Sequence, residues 1–246
     1  MLPFQHVAPY DVMATGLFPY NEIASHFQQQ IQHHRPGSHT LLDIACGSGN
    51  LTLPLARLGY QITGLDRSAK MLAAARHKAA TAGLTITFVH GEMQQPYPVR
   101  PVDAVTCFYG GLNFLLEPEA VRLCFQAVYK ALLPGGLFLF DQFGEAKMRA
   151  AFQGIKAADF DTFYVITDSL CNTTGYVTHT VTYFLKEADD RYRRVEELQL
   201  MRIYPFDHLK SWLTEAGFEH LATTPIYPNV ASKTLEEVFL FLARKP

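Results

Sequence analysis

Glycine and acidic residues occur in the first half of the chain at a spacing that suits binding of a nucleoside. Asp43 lies in an apolar run that leads into Gly47 and Gly49, where the absence of a Cβ lets the backbone approach a ligand closely. Asp66 comes twenty-three residues after Asp43, and an acid at that place can accept hydrogen bonds from both hydroxyls of an adenosine ribose. Glu92 follows a third apolar run.

Each of these residues also has an ordinary structural explanation. Asp43 could bond neighbouring backbone, Asp66 and Glu92 could be solvated loop acids, and the glycines could mark a simple turn. The combined spacing favours a bound cofactor, because Glu92 and Met93 can add hydrogen bonds and an apolar contact to an adenine ring.

Alternating strand and helix patterns position these residues. Short apolar runs and helical patterns alternate over residues 40–141, which is typical of βαβ units around a parallel sheet. Ser68 is a suitable N-cap and Gly83 a suitable left-handed C-terminal cap for a helix over residues 68–82. Strands are predicted at 40–45, 60–65, 85–90, 102–108 and 136–141. Because the carboxyl ends of parallel strands meet at one edge of the sheet, the candidate residues should line one crevice.

The pattern changes after residue 141. Residues 160–204 are rich in Thr, Val, Tyr and Phe and alternate with a period of two, which predicts an antiparallel meander. We therefore expect a β-rich insertion over residues 145–204, acting as a substrate lid, and a cofactor-binding domain formed by residues 1–144 and 205–246. The alternation does not fix the inward face, and the candidate lining residues are Phe163, Tyr164, Tyr183 and Arg202.

Composition argues against several kinds of partner. Hydrophobic residues make up 48% and charged residues 18% of the chain, which indicates a folded globular protein. The formal net charge of −2 supplies no basic face for nucleic acid or an anionic membrane. No Lys or Arg precedes Arg35 and the apolar runs are short, so we expect a cytoplasmic protein without a membrane segment. The four cysteines show no metal-ligand spacing, so reduced thiols and no metal site are expected.

Four runs of the sequence carry a resemblance to a known family. They are Asp43-Ile44-Ala45-Cys46-Gly47-Ser48-Gly49, Gly64-Leu65-Asp66, Gly91-Glu92-Met93 and Leu132-Leu133-Pro134-Gly135-Gly136. This set resembles the class I S-adenosylmethionine-dependent methyltransferases. The run Tyr10-Asp11-Val12-Met13, with Tyr20 and the β-rich insertion, is similar to a small-molecule branch that includes glycine-type and amino-sugar N-methyltransferases.

The resemblance implies a fold and a cofactor. The fold is α/β, with a Rossmann-like sheet of seven strands in the order 3-2-1-4-5-7-6, the last strand antiparallel, and a small antiparallel β insertion. S-adenosyl-L-methionine would lie across the carboxyl ends of strands one to four. The residues implied to bind it are Tyr10, Tyr20, Asp43, Ala45, Cys46, Gly47, Gly49, Asp66, Arg67, Glu92, Met93 and Phe108.

The implied chemistry is in-line displacement of a methyl group by an N- or O-nucleophile of a small molecule. A general base is optional, since water can take the proton of an amine whereas a hydroxyl needs a positioned acceptor. Asp141 is the first candidate base, followed by Tyr109, while the amide of Asn113 could orient the acceptor. Asp141 could instead cap the turn into Gly144. No nucleic-acid or membrane partner is expected, and a homodimer is compatible with the sequence.

Two departures from the expected motifs leave alternatives open. The run 110–114 reads Gly-Gly-Leu-Asn-Phe where many members of the branch have an acid in an Asp-Ser-Leu-Asn-Tyr run, which keeps open a non-catalytic S-adenosylmethionine-binding module. Thr52 occupies the place of the third glycine of a dinucleotide fingerprint. A nicotinamide-dependent oxidoreductase is therefore the less favoured alternative.

Overall fold

The computed structural model describes residues 5–188, 191–226 and 237–246. The first half contains α1 (Val7–Leu17), α2 (Tyr20–His34), β1 (Thr40–Ile44), α3 (Thr52–Arg57), β2 (Gln61–Asp66), α4 (Ala69–Thr81), β3 (Thr87–His90), β4 (Val102–Cys107), a 3-10 helix (Gly111–Phe114) and α5 (Pro118–Ala131). The second half contains β5 (Leu132–Phe143), α6 (Glu145–Ala151), β6 (Gly154–Phe160), β7 (Phe163–Cys171), β8 (Tyr176–Lys186), β9 (Tyr192–Arg202), α7 (Phe206–Glu215), β10 (Glu219–Pro225) and β11 (Val238–Arg244).

Seven strands form the larger sheet in the order β3-β2-β1-β4-β5-β11-β10. β1 to β5 are parallel to one another, whereas β11 is antiparallel to both β5 and β10. Because β10 and β11 are the sixth and seventh strands of this sheet, the predicted order and the predicted antiparallel last strand are confirmed.

Helices cover both faces of this sheet. α2 contributes Phe27 and Ile31 to a buried cluster that includes Leu139 of β5. The next residue of β5, Phe140, points to the opposite face, where its ring lies 5.7 Å from that of Phe125 in α5. Each side chain buried in this way stabilises the fold by about 1.5–3 kcal/mol. The sheet is therefore a rigid frame for the loops at its carboxyl edge.

The predicted helix caps are confirmed, whereas both bounds of the fifth strand are wrong. Ser68 Oγ accepts a hydrogen bond from the Met71 amide at 3.3 Å, and Gly83 has a φ of +66°. The fifth strand was expected over residues 136–141, but β5 begins at Leu132, which pairs with Val102 of β4, and runs on to Phe143, which pairs with Val238 of β11. Asp141 therefore lies inside the strand rather than at its end.

The insertion folds as a second sheet of four antiparallel strands in the order β6-β7-β8-β9, as the meander predicted. Phe163 and Tyr183 are each 2% exposed on its inner face. Tyr164 is 43% exposed and lies on the outer face, so its expected lining role is wrong. Arg202 pairs with Tyr176 on that other face, with its guanidinium 4.6 Å above the Tyr176 ring, and it does not line the inner face either.

None of the described helices is long and apolar enough to cross a membrane. Within the same residues, no group of three or more His, Cys, Asp or Glu side chains is placed to hold a metal ion.

Candidate cofactor and acceptor site

The turn after β1 holds three residues in the left-handed region. Ala45, Gly47 and Gly49 have φ values of +52°, +56° and +81°, and the conformation of Ala45 is strained because it has a Cβ. A Cβ added to Gly47 would meet no described atom within 4 Å, whereas one on Gly49 would lie 2.7 Å from Leu53 Cδ1 and 3.4 Å from Ala75 Cβ. Gly47 therefore borders open space, and Gly49 is required by the packing of α3 against α4.

Asp66 at the end of β2 fixes this turn. Its Oδ2 accepts the Gly47 amide and its Oδ1 accepts the Ser68 amide, each at 2.8 Å. Burial to 9% exposure raises the pKa of the Asp66 carboxyl, against the effect of these two hydrogen bonds. The alternative of a solvated loop acid is therefore wrong for Asp66. Since a carboxylate offers about four acceptor positions, it can bond these amides and two ribose hydroxyls together.

Asp43 lies beneath the turn and points into the fold. It is 2% exposed, and its two oxygens accept the hydroxyls of Thr52 at 2.6 Å and Thr106 at 2.8 Å. Burial raises the pKa of Asp43 to about 6 in spite of these bonds. The partners of Asp43 are thus side-chain hydroxyls rather than neighbouring backbone. One of these hydroxyls belongs to Thr52, the residue at the position of the third glycine in a dinucleotide fingerprint.

Removing the Thr52 hydroxyl tests this support. We expect Thr52→Val to lower the free energy of unfolding by about 1–3 kcal/mol, because a buried acceptor loses a donor. Thr52→Ser, which keeps the donor, is the control and should lose much less in urea denaturation. Equal losses in the two variants would show that methyl packing, and not the bond to Asp43, stabilises this position.

The turn after β4 is held by Asp141. Tyr109 and Gly110 both have a φ of +66°, and the Gly110 amide donates to the two oxygens of Asp141 at 2.9 and 3.2 Å. Asp141 is 1% exposed, and burial raises its pKa to about 7. Burial, and then the nearby Asp141 carboxylate, raise the pKa of Tyr109 to about 12. Asp141 thus caps the turn at Gly110, and not the turn into Gly144 that the sequence suggested.

A raised pKa at Asp141 predicts a pH dependence of stability. Its unfolded value is near 4 and its folded value about 7, so the folded state binds the proton more tightly. Protonation of Asp141 therefore stabilises the folded state. This stabilisation is complete below pH 4 and is lost as the pH rises to 7. We expect urea denaturation to show a free energy of unfolding that falls over this interval, and Asp141→Asn to flatten the fall. The remaining slope would come mainly from Asp43. An identical slope in the variant would contradict the assignment.

Aromatic side chains of α1, α2 and the link between them cover the turn after β4. The Tyr109 ring lies 4.6 Å from Phe18 and 6.2 Å from Tyr10. Burial raises the pKa of both Tyr10 and Tyr20, and the neighbouring phenols add to this effect. Tyr10 thus contacts Tyr109 directly, and Tyr20 is joined to it through Phe18, whose ring lies 6.2 Å from that of Tyr20.

A polar network ties α1 to the glycine turn. The Asp11 carboxylate accepts hydrogen bonds from Ser48 Oγ, Asn50 Nδ2 at 3.0 Å and Lys78 Nζ at 3.0 Å. Lys78 Nζ also bonds Ser48 Oγ and Asn50 Oδ1. Sequence reasoning missed these contacts, because they join residues at least 28 positions apart and no local pattern connects them.

The remaining candidate residues divide between the crevice and the interior. Arg67 is exposed and Glu92 half-buried at the ends of β2 and β3, and Met93 is 9% exposed there with its carbonyl accepting Tyr97 Oη. Cys46 is buried, with its thiol beside Gly64, and burial raises the pKa of the thiol. Phe108 is also buried, and its ring contacts those of Phe18, Tyr20 and Phe27. Asn113 is 0% exposed and donates to the Arg202 carbonyl at 2.7 Å.

Comparison with known proteins identifies the family to which the chain belongs. A sequence profile described as a methyltransferase domain matches residues 41–136. A Geobacillus sp. (strain WCH70) protein named as a methyltransferase is 37% identical over 231 residues, which cover 92% of this chain and 93% of the relative. The chain belongs to the S-adenosylmethionine-dependent methyltransferases. The oxidoreductase and the non-catalytic module are thereby set aside.

The methyltransferase also shares its fold with solved structures. An S-adenosylmethionine-dependent methyltransferase from Clostridium acetobutylicum superposes with a TM-score of 0.86 at 22% identity, over 98% of this chain and 97% of the other. An amino pentose methyltransferase from Micromonospora echinaspora gives 0.75 at 21% identity, over 100% and 99%. At these identities the likeness establishes the fold.

Residues of the crevice fit the adenosyl cofactor. The open space beside Gly47 leaves room for a group in contact with the backbone, and Asp66 offers acceptors 2.8 Å from the same amide. Residues at the carboxyl ends of β1, β2 and β3 would hold the nucleoside, with the aromatic cover of α1 and α2 above the end of β4.

Proposed function

We propose that the protein transfers a methyl group from S-adenosylmethionine to an N- or O-nucleophile of a small molecule held between the crevice and the second sheet. The observation that carries this proposal is the position of that sheet. The His6 amide donates to Glu197 Oε1 at 2.6 Å, and Met13 of α1 packs against the cluster that contains Phe163 and Tyr183. Residues 145–204 therefore act, in this proposal, as a lid beside α1.

The residues of the site have separate tasks in this mechanism. When bound, S-adenosylmethionine supplies a methyl group that passes to the nucleophile as the carbon–sulfur bond breaks and its electron pair returns to sulfur. Gly47 and Asp66 hold the nucleoside. Tyr10, Tyr20 and Tyr109 exclude water, which keeps the nucleophile desolvated and close to the donor. Asp141 positions Tyr109 through Gly110.

A small acceptor is supported by the kind of solved proteins that share this fold. One is named as an amino pentose methyltransferase and another, from Streptoalloteichus sp., as a sugar N-methyltransferase, with TM-scores of 0.75 each. The net charge of −2 gives no support to a nucleic-acid acceptor.

Ligand binding and methyl transfer test the proposal in sequence. Thermal unfolding with S-adenosylhomocysteine, S-adenosylmethionine and nicotinamide dinucleotides should show stabilisation by the first two only, by about 2.7 kcal/mol at a hundredfold excess over Kd. Transfer of a labelled methyl group should then be found with small amines or alcohols. Transfer to RNA or protein alone would contradict the small-molecule acceptor.

A further inference from the structure

The inner face of the second sheet is apolar at both ends. At one end, Val165 and Tyr183 belong to a cluster that packs against Met13 of α1. At the other, Val177 and Met201 pack with Met148 of α6, and Phe143 of β5 lies against the same cluster. These contacts hold the sheet over the carboxyl edge of the larger sheet.

Polar side chains lie between these two apolar ends. Strand register places them in two rows on the inner face. In one row Thr167 and Glu197 stand on either side of the apolar Val181, and the other row is Ser169, His179 and Gln199. Three are almost completely buried, at 1% for Glu197, 5% for Ser169 and 8% for Gln199. We name Thr167, Ser169, His179, Glu197 and Gln199 the polar strip. Burying polar groups costs free energy unless they are bonded. Ser169 bonds His179 and Glu197 accepts the His6 amide, so the strip is a hydrogen-bonding surface between two apolar clusters.

The polar strip carries one carboxylate charge. His179 Nδ1 lies 2.8 Å from Ser169 Oγ, and burial, with Lys156 nearby, lowers the pKa of His179 to about 4, so the imidazole is neutral near pH 7. Lys156 stands at the edge of the strip, where its Nζ bonds the Ala151 carbonyl. The Glu197 carboxylate accepts the His6 amide. Because a carboxylate offers about four acceptor positions, Glu197 can bond this amide and a ligand together.

The sheet that carries the strip lies beside the end of β4. Tyr10 of α1 is 6.2 Å from Tyr109, and Met13 of the same helix packs with Tyr183. Asn113, in the 3-10 helix after β4, donates to the carbonyl of Arg202 at the end of β9. At the same edge, Asn113 Oδ1 and both polar atoms of the Gln142 side chain are buried and have no hydrogen-bond partner among the described residues. Unpaired polar atoms below and a polar strip above indicate the place of a polar ligand.

We propose that the polar strip is the acceptor-binding surface and that Glu197 selects acceptors that carry an amine. This inference rests on the proposed function. A desolvated carboxylate attracts an ammonium group and repels an anionic acid, while the Gln199 amide and the Ser169 hydroxyl bond neutral hydroxyls. The bound ammonium group first releases a proton to water, and the lone pair of the amine nitrogen then forms the bond to the methyl carbon as the carbon–sulfur bond breaks. The electron pair of that bond stays on sulfur, and the methylated nitrogen carries the positive charge that sulfur loses.

Matched acceptors and matched variants test this assignment. Methyl transfer is measured from saturating S-adenosylmethionine to ethanolamine, glucosamine and 1,4-diaminobutane, and to ethylene glycol, glucose and succinate. We expect transfer to at least one amine and to none of the other three. Glu197→Gln should raise the amine KM about 10- to 100-fold, the value of a charged hydrogen bond, and change the KM for S-adenosylmethionine less than threefold. Glu196→Gln, on the outer face of the same strand, is the control and should leave both unchanged.

The outcomes separate this inference from the proposed function. Transfer to the alcohols or to succinate, or an amine KM unaffected by Glu197→Gln, overturns the inference and leaves methyl transfer standing. Binding of S-adenosylhomocysteine without transfer to any amine also overturns it. Absence of both binding and transfer overturns the proposed function as well. If Glu197→Gln fails to fold, Gln199→Leu supplies the second variant: it should raise the KM for the hydroxyl-bearing amines, ethanolamine and glucosamine, and leave the KM for 1,4-diaminobutane unchanged. A glucosamine KM unaffected by Gln199→Leu overturns the assignment of the strip.

Discussion

Replacing Gly47 by valine is expected to abolish binding of S-adenosylhomocysteine while the protein stays folded. Gly47 has a φ of +56°, which a β-branched residue rarely adopts. The protein itself leaves room, because a Cβ at this position meets no described atom within 4 Å. The branched side chain would therefore fill the space that the cofactor needs. Calorimetric titration should detect no binding at ligand concentrations that saturate the wild type.

Gly59→Val is the matched control for this substitution. Gly59 also has a positive φ, +95°, and open space beside it, but it lies between α3 and β2 at the opposite edge of the sheet. Each variant should lose about 1–2 kcal/mol of stability from backbone strain, whereas only Gly47→Val should lose the ligand. A folded Gly47→Val protein with wild-type affinity would show that the turn is not the cofactor cradle.

Local signals predicted the frame of the molecule well. Ser68 and Gly83 cap α4 through contacts within a few residues, which a sequence pattern can show. The alternation of apolar runs predicted parallel strands, and the resemblance supplied their order. The second sheet was predicted from the period of two in the alternation of apolar residues after residue 160. Apart from the strand order, these features depend on neighbouring residues or on a repeated spacing, so they could be predicted without knowing the fold.

Side-chain direction was harder to predict. β1 and β4 are buried on both faces, so hydrophobicity could not show that Asp43 turns inward to Thr52 and Thr106. On the insertion, alternation gave two faces without saying which one the larger sheet covers. Candidate lining residues were therefore named on both faces, and the structure places Tyr164 and Arg202 on the outer one.

Long-range polar contacts could not be predicted at all. Asp11 reaches Ser48 and Lys78 only because α1 folds across the glycine turn. The role of Asp141 at Gly110 likewise depends on β4 and β5 lying side by side over a separation of 31 residues. Such contacts follow from tertiary packing, which no local sequence pattern shows.

Asp66→Ala is expected to weaken S-adenosylhomocysteine binding about 10- to 100-fold, the loss that follows removal of a charged hydrogen-bond acceptor. The structure adds a second consequence. Because Asp66 also accepts the Gly47 and Ser68 amides, the variant should lose about 1–3 kcal/mol of stability. Affinity by calorimetry and stability by urea denaturation must therefore be measured on the same preparation.

Asp103→Ala separates these two effects. Asp103 also accepts two backbone amides, from His39 and Thr40 at 3.0 Å each, and it pairs with Arg35 at 3.1 Å, but it lies at the start of β4, away from the carboxyl edge. Its loss should lower stability at least as much as Asp66→Ala and leave the affinity for S-adenosylhomocysteine within about twofold. Comparable weakening in both variants would mean that the affinity follows general stability, and Asp66 would then have no specific part in holding the ribose.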